Sequence, residues 1–380
     1  MRKLLPAPST RVPRPLLGVL LLLGGTTAAV AAPVQYEMDL RTYSGIGAGG
    51  ITGIIGSLFG SKTAAVSRLM DLRLTNPSDI PDGAVAEHVV PEGMRIGPAL
   101  PLAGERRTTG GGGAADGPAG EPEGKVLIYW GCGETVPKGQ PLVIDLKAMA
   151  AMVPPEVMAM ARQSRAARGK GEAVAAQTLP PRVLGWPAGD RSFRGIPAEA
   201  SAVGEHVVKG SFFSPEIRYT LGAGMDFLEP MNLKAQSGDT RAAVPLGWDR
   251  SSRARGFNLN AVGAVGEKEM VLWMAAKDKN PMLPASQVAC TIPAGIFEKA
   301  QMGMVMGEVV GPSENFAFPP QKPGDKKPLQ WTAKVRVSAS DTAMLGIGQA
   351  ASGAAGDAAG DAAVPGGGAV FKAIKGIFGQ

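Results

Sequence analysis

Strict alternation of apolar and polar residues is the feature that most restricts the fold of this chain. In YEMDLRTY, Tyr36, Met38 and Leu40 share one face of an extended strand, and charged residues occupy the other face. The same period of two recurs at residues 67–75, 216–221 and 331–338. This period is typical of a β-strand that is buried on one face only, as in antiparallel sheets. We therefore expect an all-β fold of antiparallel, sandwich-like sheets.

Glycine and proline separate these alternating segments. The chain holds 53 glycines and 32 prolines among 380 residues, and aromatic residues make up only 5%. Turn-forming runs such as NPSDIPDG, residues 76–83, lie between the predicted strands. This composition favours many turns and disfavours a helical bundle.

Two short internal similarities suggest that the chain contains two related β-halves. The similar pairs are AEHVVPEG (86–93) with GEHVVKGS (204–211), and VLIYWGCGE (126–134) with MVLWMAAK (270–277). We therefore expect two β-sandwich-like domains, at residues 32–148 and 181–345. The alanine-rich run at 154–177, which begins with two prolines, predicts a helical linker over 149–180.

Three segments are rich in glycine or other small residues. Residues 45–60 and 104–124 are glycine-rich segments of the first predicted domain, and residues 346–380 form a low-complexity tail. Most of this sequence lacks the apolar side chains whose burial offsets the entropy of ordering a chain. We expect disordered inserts at these positions.

The first 31 residues have the pattern of a secretory signal peptide. A basic start is followed by an apolar run at residues 16–23 and by the small residues Ala29-Val30-Ala31. The run is much shorter than the roughly 20 residues needed to span a bilayer. This segment holds four basic residues and no acidic ones, so the formal net charge of +6 falls to +2 in the remainder. The remainder therefore offers no global case for nucleic-acid binding.

Residues 240–340 resemble a fibronectin type III-like domain. Such domains carry a core tryptophan on one strand and an aromatic residue two positions before an apolar one on the next. Trp248, Phe257 and Leu259 match that pattern, with phenylalanine where tyrosine is usual. More broadly, WGCGE, SPEI, MVLW, CTIPA, ENFAFPP and WTAKVRV resemble an uncharacterised family of secreted bacterial proteins. That resemblance spans most of the chain after residue 31 and implies secretion, but it supplies no activity.

Cys132 and Cys290 are the only cysteines, and both lie in strand-like contexts. In an exported protein, two such cysteines are candidates for a disulfide. Two buried free thiols are the main alternative. A catalytic cysteine is a further alternative, but no known nucleophile signature surrounds either residue. A cysteine nucleophile also needs a neighbour that lowers its pKa, usually a histidine, and only the fold could bring one close.

Two other groups of side chains are candidate metal ligands. His88 and His206 each follow a glutamate, but adjacent residues of a strand point to opposite faces, which favours a structural role for both histidines. Met302, Met304 and Met306 alternate along a predicted strand and could bind copper through their thioethers. The simpler interpretation of these methionines is a core face in which they fill gaps.

The segment AVFKAIKGIFGQ, residues 369–380, has the pattern of a short interfacial helix. Its apolar side comprises Val370, Phe371, Ile374, Ile377 and Phe378. We expect peripheral membrane contact through Phe371, Ile374, Ile377 and Phe378. The alternative is a docked or disordered tail.

The sequence contains no G-x-S-x-G, S-x-x-K or H-E-x-x-H signature. We therefore expect an exported, non-catalytic structural or binding module of the cell envelope, without a cofactor, located in the periplasm, at the outer membrane periphery or outside the cell. Its partner would be an envelope protein, a glycan or a membrane surface. The alternatives are a carbohydrate-active or other hydrolase that uses acidic residues, and a periplasmic copper or redox-linked binder.

Overall fold

β-Strands account for nearly all the regular structure that the computed structural model describes. The described residues are 32–45, 66–104, 107–109, 123–152, 177–188, 195–235, 240–276, 282–300, 302–322, 324–325 and 327–345. The strands are β1 Val34–Gly45, β2 Ser67–Thr75, β3 Ala86–Val89, β4 Ala99–Leu102, β5 Arg107–Thr109, β6 Lys125–Trp130, β7 Leu142–Asp145, β8 Gln177–Leu179, β9 Val183–Trp186, β10 Gly204–Gly210, β11 Ile217–Leu221, β12 Lys234–Ala235, β13 Val244–Gly247, β14 Gly256–Val265, β15 Glu269–Met274, β16 Leu283–Pro284, β17 Ala289–Ile292, β18 Met302–Phe318 and β19 Trp331–Leu345. Within these residues the only α-helix is α1, Leu146–Met152, and 3₁₀ turns occur at Glu92–Met94 and Ala223–Met225.

The largest sheet has the order β7-β6-β15-β14-β18-β19-β1-β2-β9, with β16 paired to β14. Most neighbours are antiparallel, but β1 pairs with β19 in parallel, and so does β6 with β15. The expected antiparallel pairing therefore holds for most neighbours but not for these two pairs. Alternation along a strand reports which face is buried, and it carries no information about the direction of the neighbouring strand.

Smaller sheets cover one face of this main sheet. The four-stranded sheet β11-β10-β3-β4 packs on the β1 side, where Tyr36 contacts His88. The three-stranded sheet β12-β13-β17 packs near β14, where Trp248 lies against Phe257. β5 and β8 form a separate two-stranded ladder. The predicted all-β, sandwich-like fold is confirmed.

The alternating sequences place the core as expected. Along β1, and along β19 as far as residue 341, every second side chain is buried, including Tyr36, Met38, Val335 and Val337. The intervening residues face away from the core and are half-buried or exposed. Burying the alternate apolar side chains of so many strands supplies the main driving force for folding.

Strands from both predicted β-halves lie in the main sheet. β1, β2, β6 and β7 belong to residues 32–148, and β1, β2 and β6 each pair with a strand of residues 181–345. The predicted boundary at 149–180 therefore does not separate two sheets. Trp248, Phe257 and Leu259 are all buried in the shared core.

The predicted linker and inserts are described only in part. α1 spans Leu146–Met152, the predicted helix at 154–177 lies outside the described residues up to 176, and Gln177 begins β8. Arg107–Thr109 lie within a segment expected to be disordered, yet they form β5. The expectation of disorder is wrong for these three residues, because their backbone is hydrogen-bonded to β8. Residues 46–60 and 346–380 lie outside the described residues.

Candidate functional site

A chain of hydrogen bonds between buried aromatic side chains joins the main sheet to the four-stranded sheet. The Tyr36 hydroxyl on β1 lies 2.7 Å from His88 Nδ1 on β3. His88 Nε2 lies 2.9 Å from His206 Nδ1 on β10, and His206 Nε2 lies 2.8 Å from the Ala202 carbonyl oxygen. Tyr36 and both histidines are almost completely buried.

The carbonyl of Ala202 fixes the direction of every hydrogen bond in this chain. A carbonyl oxygen can only accept, so His206 Nε2 carries a proton and the neutral ring accepts at Nδ1. His88 therefore donates from Nε2 to His206 and accepts at Nδ1 from the Tyr36 hydroxyl. Both rings are neutral, with one tautomer each, and every nitrogen is satisfied.

Burial keeps the two histidines uncharged. Desolvation lowers the pKa of His88 well below its usual range, and the neighbouring His206 lowers it further. Desolvation also lowers the pKa of His206, although its hydrogen bond to Ala202 opposes that shift. Burial raises the pKa of Tyr36 well above its usual value, so the phenol stays protonated. The three side chains are therefore uncharged, and the hydrogen bonds between them have a structural role.

Tyr219 completes the surroundings of the two histidines. It lies opposite His206 on β11, and the two rings stack with centroids 5.3 Å apart. Its hydroxyl lies 3.6 Å from the Met38 sulfur, a weak acceptor. Its other side stacks on Phe316. The histidines are thus enclosed by aromatic rings and lie out of reach of solvent.

The glutamates that precede the histidines point the other way. Glu87 and Glu205 are exposed, whereas His88 and His206 are buried, as expected for adjacent residues of a strand. β3 and β10 are hydrogen-bonded neighbours with His88 opposite Val208, which places the two histidines diagonally on one face. Within the described residues no group of three His, Cys, Asp or Glu side chains is arranged to hold a metal ion.

Cys132 and Cys290 form a disulfide, with their Cα atoms 5.3 Å apart. Cys132 follows β6 of the main sheet, and Cys290 lies on β17 of the three-stranded sheet. The Gly133 amide donates to the Thr291 carbonyl at 2.9 Å, so backbone contact accompanies the covalent link. The disulfide prediction is confirmed, and neither residue is a free nucleophile.

The methionines of β18 do not face the core. Val305 and Val309 are fully buried on the core side of the strand, and Met304 and Met306 lie half-buried on the opposite side. The interpretation of these residues as gap-fillers in the core is therefore wrong. The side chain of Met302 lies outside the described part, and its backbone pairs with Ala264. The stripe is also separate from His88 and His206, which lie in the core.

Apolar side chains from neighbouring strands continue this surface across the sheet. We call it the outer apolar face. It comprises Val126, Ile128, Trp130, Val262, Met270, Leu272, Met274, Met304, Met306 and Met344. One row of partners runs Ile128, Leu272, Val262, Met304 and Met344, from β6 to β19.

The outer apolar face is distinct from the core and from the rest of the same sheet surface. Val262 is only 6% exposed, yet it does not belong to the core cluster. Further along β1 and β19, away from Met344, the same side of the sheet is charged, and Arg336 donates to Asp39 at 2.8 Å. Asn260 lies on the same side, between Met274 and Met306. A largely apolar, half-buried surface beside a charged one is typical of an interaction site.

The edge of the sheet next to this face is apolar as well. β7 is the terminal strand, and its Leu142 and Val143 are 53% and 51% exposed. Edge strands present unpaired backbone groups to potential partners. Leu142 lies opposite Ile128 and extends the outer apolar face beyond β6, whereas Val143 points to the other side of the sheet.

An open acidic cleft of about 520 Å³ lies elsewhere, between the turn after β2 and the turn after β10. It includes Asp79 and Asp82, the type of residue that a hydrolase would need. Asp79 is already ion-paired with Arg182.

The membrane-contact prediction concerns residues outside the described part of the chain, namely Phe371, Ile374, Ile377 and Phe378. Among the described residues, no helix has the length and apolar character that a membrane crossing requires. In comparisons with known proteins, no family model matches this chain and no curated protein resembles it significantly in sequence.

Sequence reasoning missed several residues of these sites. Nothing in the sequence connected Tyr36 to His88, because that contact crosses between sheets. Tyr219 was missed as well, although it lies opposite His206 on the neighbouring strand. Met344 also escaped notice, although it lies opposite Met304 in the β18–β19 pair. The repeated EHVV motif was a usable signal, since its two copies are the adjacent strands β3 and β10.

Proposed function

We propose that this protein is an exported, non-catalytic binding module of the cell envelope whose contact surface is the outer apolar face. The observation that carries the proposal is the row from Ile128 to Met344, which presents apolar side chains on the side of the sheet away from the core. Leaving such a surface in water is unfavourable by about 25 cal/mol per Å² of apolar area, which favours a partner that covers it.

Export is part of the proposal and has two supports. The first 31 residues have the pattern of a signal peptide, and the disulfide between Cys132 and Cys290 suits an oxidising compartment. The resemblances to secreted bacterial proteins and to fibronectin type III-like domains are consistent with such a role. Both remain proposals.

The chemistry of the face favours an apolar protein surface as the partner. A glycan presents hydroxyl groups that need hydrogen-bond donors and acceptors, and the row from Ile128 to Met344 contains none in its side chains. Methionine side chains are flexible and polarizable, and they adapt to apolar partners of different shapes. We therefore favour an envelope protein over a glycan or a lipid surface.

Photo-crosslinking in intact cells tests this function. A photoreactive amino acid replaces Ile128 or Leu272 on the outer apolar face, and the matched control replaces Glu87, which is exposed on the four-stranded sheet. We expect a discrete crosslinked envelope protein from positions 128 and 272 and none from position 87. Equal crosslinking from all three positions, or none from any, would contradict the proposal.

A second candidate function is the binding of Cu(I). It is favoured by the cross-strand pair of Met304 and Met344, with Met306 two residues further along β18. Opposite residues of paired strands have Cβ atoms about 4.5–5.5 Å apart, which allows two thioethers to meet one soft ion.

A further inference from the structure

One edge of the main sheet is open, and the other is closed. At the closed edge, Gly185 of β9 exchanges two backbone hydrogen bonds with Ala103, at 2.8 and 3.1 Å. At the open edge, β7 pairs with β6, and no other strand within the described residues pairs with β7. The unpaired backbone groups of such an edge are a template for a further strand.

The pairing of β7 with β6 determines which backbone groups face the open edge. The Leu146 amide donates to the Gly124 carbonyl at 3.0 Å, one residue beyond the opposed pair of Lys125 and Asp145. A bond in this position marks that pair as one that exchanges no hydrogen bonds. The Lys125 amide donates instead to the Lys268 carbonyl, on the side away from β7. The backbone N–H and C=O groups of Asp145 therefore point away from β6.

The same alternation continues along β7. In antiparallel strands, pairs that exchange two hydrogen bonds alternate with pairs that exchange none, so Ile144 and Leu142 are bonded to β6. Val143 lies between them, and its N–H and C=O groups point to the open edge. The Pro141 carbonyl also points to the open edge, because it is directed opposite to the Leu142 amide of the same planar peptide group.

The donors and acceptors along the open edge are self-complementary. Pro141 has no N–H and offers only its carbonyl, whereas Val143 offers both groups. The Asp145 side chain accepts from the Lys147 and Ala148 amides at 3.0 Å, which makes Asp145 the cap of α1. The carbonyl of a capping residue accepts the first hydrogen bond of its helix, so Asp145 offers only its N–H to the edge.

We propose that β7 pairs in antiparallel fashion with β7 of a second copy of this chain, about a twofold axis at Val143. In this register Val143 exchanges two hydrogen bonds with Val143 of the second copy. Each Asp145 N–H meets a Pro141 carbonyl, which adds two more. The donor that proline lacks lies opposite the acceptor that α1 already uses, so the pairing satisfies every edge group of these residues. The same surface is used by both copies, as in most homodimers.

Exposed apolar side chains accompany the open edge. Leu142, Val143 and Met149 are each more than half exposed. In the proposed register Leu142 lies opposite Ile144 of the second copy, and the two Val143 side chains lie opposite each other. Pairing therefore removes part of this apolar area from water, which is favourable.

The dimer would also join the outer apolar faces of the two copies. Leu142 and Ile144 lie on the same side of the sheet as Ile128 and Val126, their partners on β6. A twofold axis perpendicular to the sheet keeps that side the same in both copies, so the result is one apolar surface of double width. This inference goes beyond the proposed function, because the pairing of the two edges does not depend on what the outer apolar face binds.

The mass of the purified protein in solution tests the pairing. Sedimentation velocity should give twice the mass of the monomer, and dilution should lower it toward that of the monomer. Val143→Pro removes the outward N–H and none of the bonds between β7 and β6, so it should give a monomer that remains folded by circular dichroism. The matched control is Val143→Thr, which keeps the N–H and the branched side chain and should remain a dimer.

Opposite charges at position 143 test the register. Val143→Lys and Val143→Glu should each give a monomer, because two like charges would face each other across the twofold axis. An equimolar mixture of the two variants should form a heterodimer, because the facing charges are then opposite. The same two substitutions at Val85, which is 70% exposed and lies outside β7, should leave the dimer unchanged.

A monomer at every concentration tested would overturn the inference. A folded Val143→Pro variant that remains a dimer would overturn it as well, and so would a mixture of the charged variants that stays monomeric. If Val143→Pro does not fold, the charged variants decide. Crosslinking from positions 128 and 272 reports a partner of the outer apolar face in cells, whereas the mass reports edge pairing in the isolated protein, so the two proposals fail separately.

Discussion

His88 Nε2 donates a hydrogen bond to His206 Nδ1 over 2.9 Å, between two adjacent strands that carry the same EHVV sequence. The pair is neutral, because the Ala202 carbonyl at one end and the Tyr36 hydroxyl at the other fix the proton on each ring. Two histidines that could have been metal ligands are thereby committed to joining two sheets.

Removing the hydroxyl at the start of this chain should destabilise the fold. Tyr36→Phe leaves His88 Nδ1 buried without a donor, which should lower the free energy of unfolding by about 1–3 kcal/mol. The matched control is Tyr43→Phe, whose half-buried hydroxyl makes a longer contact of 3.3 Å with Thr342. Urea unfolding measures both variants. An equal loss in the two would contradict a special role for the buried chain.

Stability should fall in mild acid because both histidines have a lowered pKa. The unfolded chain binds protons at its ordinary histidine pKa of about 6.5, while the folded protein does not. The stabilising difference is therefore fully present above about pH 6.5 and declines below it, by up to about 1.4 kcal/mol per pH unit for each histidine. Unfolding titrations between pH 8 and pH 5 test this. In His88→Leu with His206→Leu, the decline that begins near pH 6.5 should be absent.

Loss of the disulfide should be costly. The bond closes a loop between residues 158 positions apart, and the chain-entropy model assigns such a link roughly 3–5 kcal/mol. We expect Cys132→Ser with Cys290→Ala to lower the free energy of unfolding by that amount. A reductant should bring the unchanged protein to the same value and leave the variant unaffected. A variant as stable as the disulfide-bonded protein would be inconsistent with this estimate.

Gly45 ends β1 at a point where a side chain has no space. Its φ is +84°, and an added Cβ would collide with the Asp341 carboxylate and the Thr342 carbonyl. Gly83 has a similar φ of +77° with nothing near the added atom, so it is the matched control. Gly83→Ala should cost about 1 kcal/mol from the backbone alone, and Gly45→Ala clearly more. Thermal unfolding compares them, and equal losses would argue against the steric contact.

The copper hypothesis makes a separate prediction. If the methionines of the outer apolar face hold Cu(I), Met304→Leu with Met306→Leu and Met344→Leu should abolish binding in a competition assay, because leucine removes the thioether and keeps the volume. The core residues Met38 and Met70 serve as controls when changed to leucine in the same way. Absence of Cu(I) binding by the unchanged protein, or equal binding by all variants, removes this alternative.

The alternating segments predicted the strands well. The patterns that begin at Tyr36, Ser67 and Trp331 correspond to β1, β2 and β19, with the expected side of each strand buried. They could not predict the parallel pairing of β1 with β19, since period two is the same for either direction of a neighbour. The two internal similarities correspond to pairs of hydrogen-bonded strands in the structure. Both similar pairs are adjacent strands, β3 with β10 and β6 with β15.

The sequence by itself determined the β-rich architecture and the candidate disulfide, because periodicity and cysteine count are local or compositional properties. Only the tertiary structure decided which residues meet. It places the Tyr36 hydroxyl beside His88 across two sheets. It also places Met304 opposite Met344 on paired strands, with both methionines on the side away from the core. Such contacts depend on strand order and on which face a neighbouring sheet covers. Strand order and the covered face are set only when distant strands pair and their backbone hydrogen bonds fix one register.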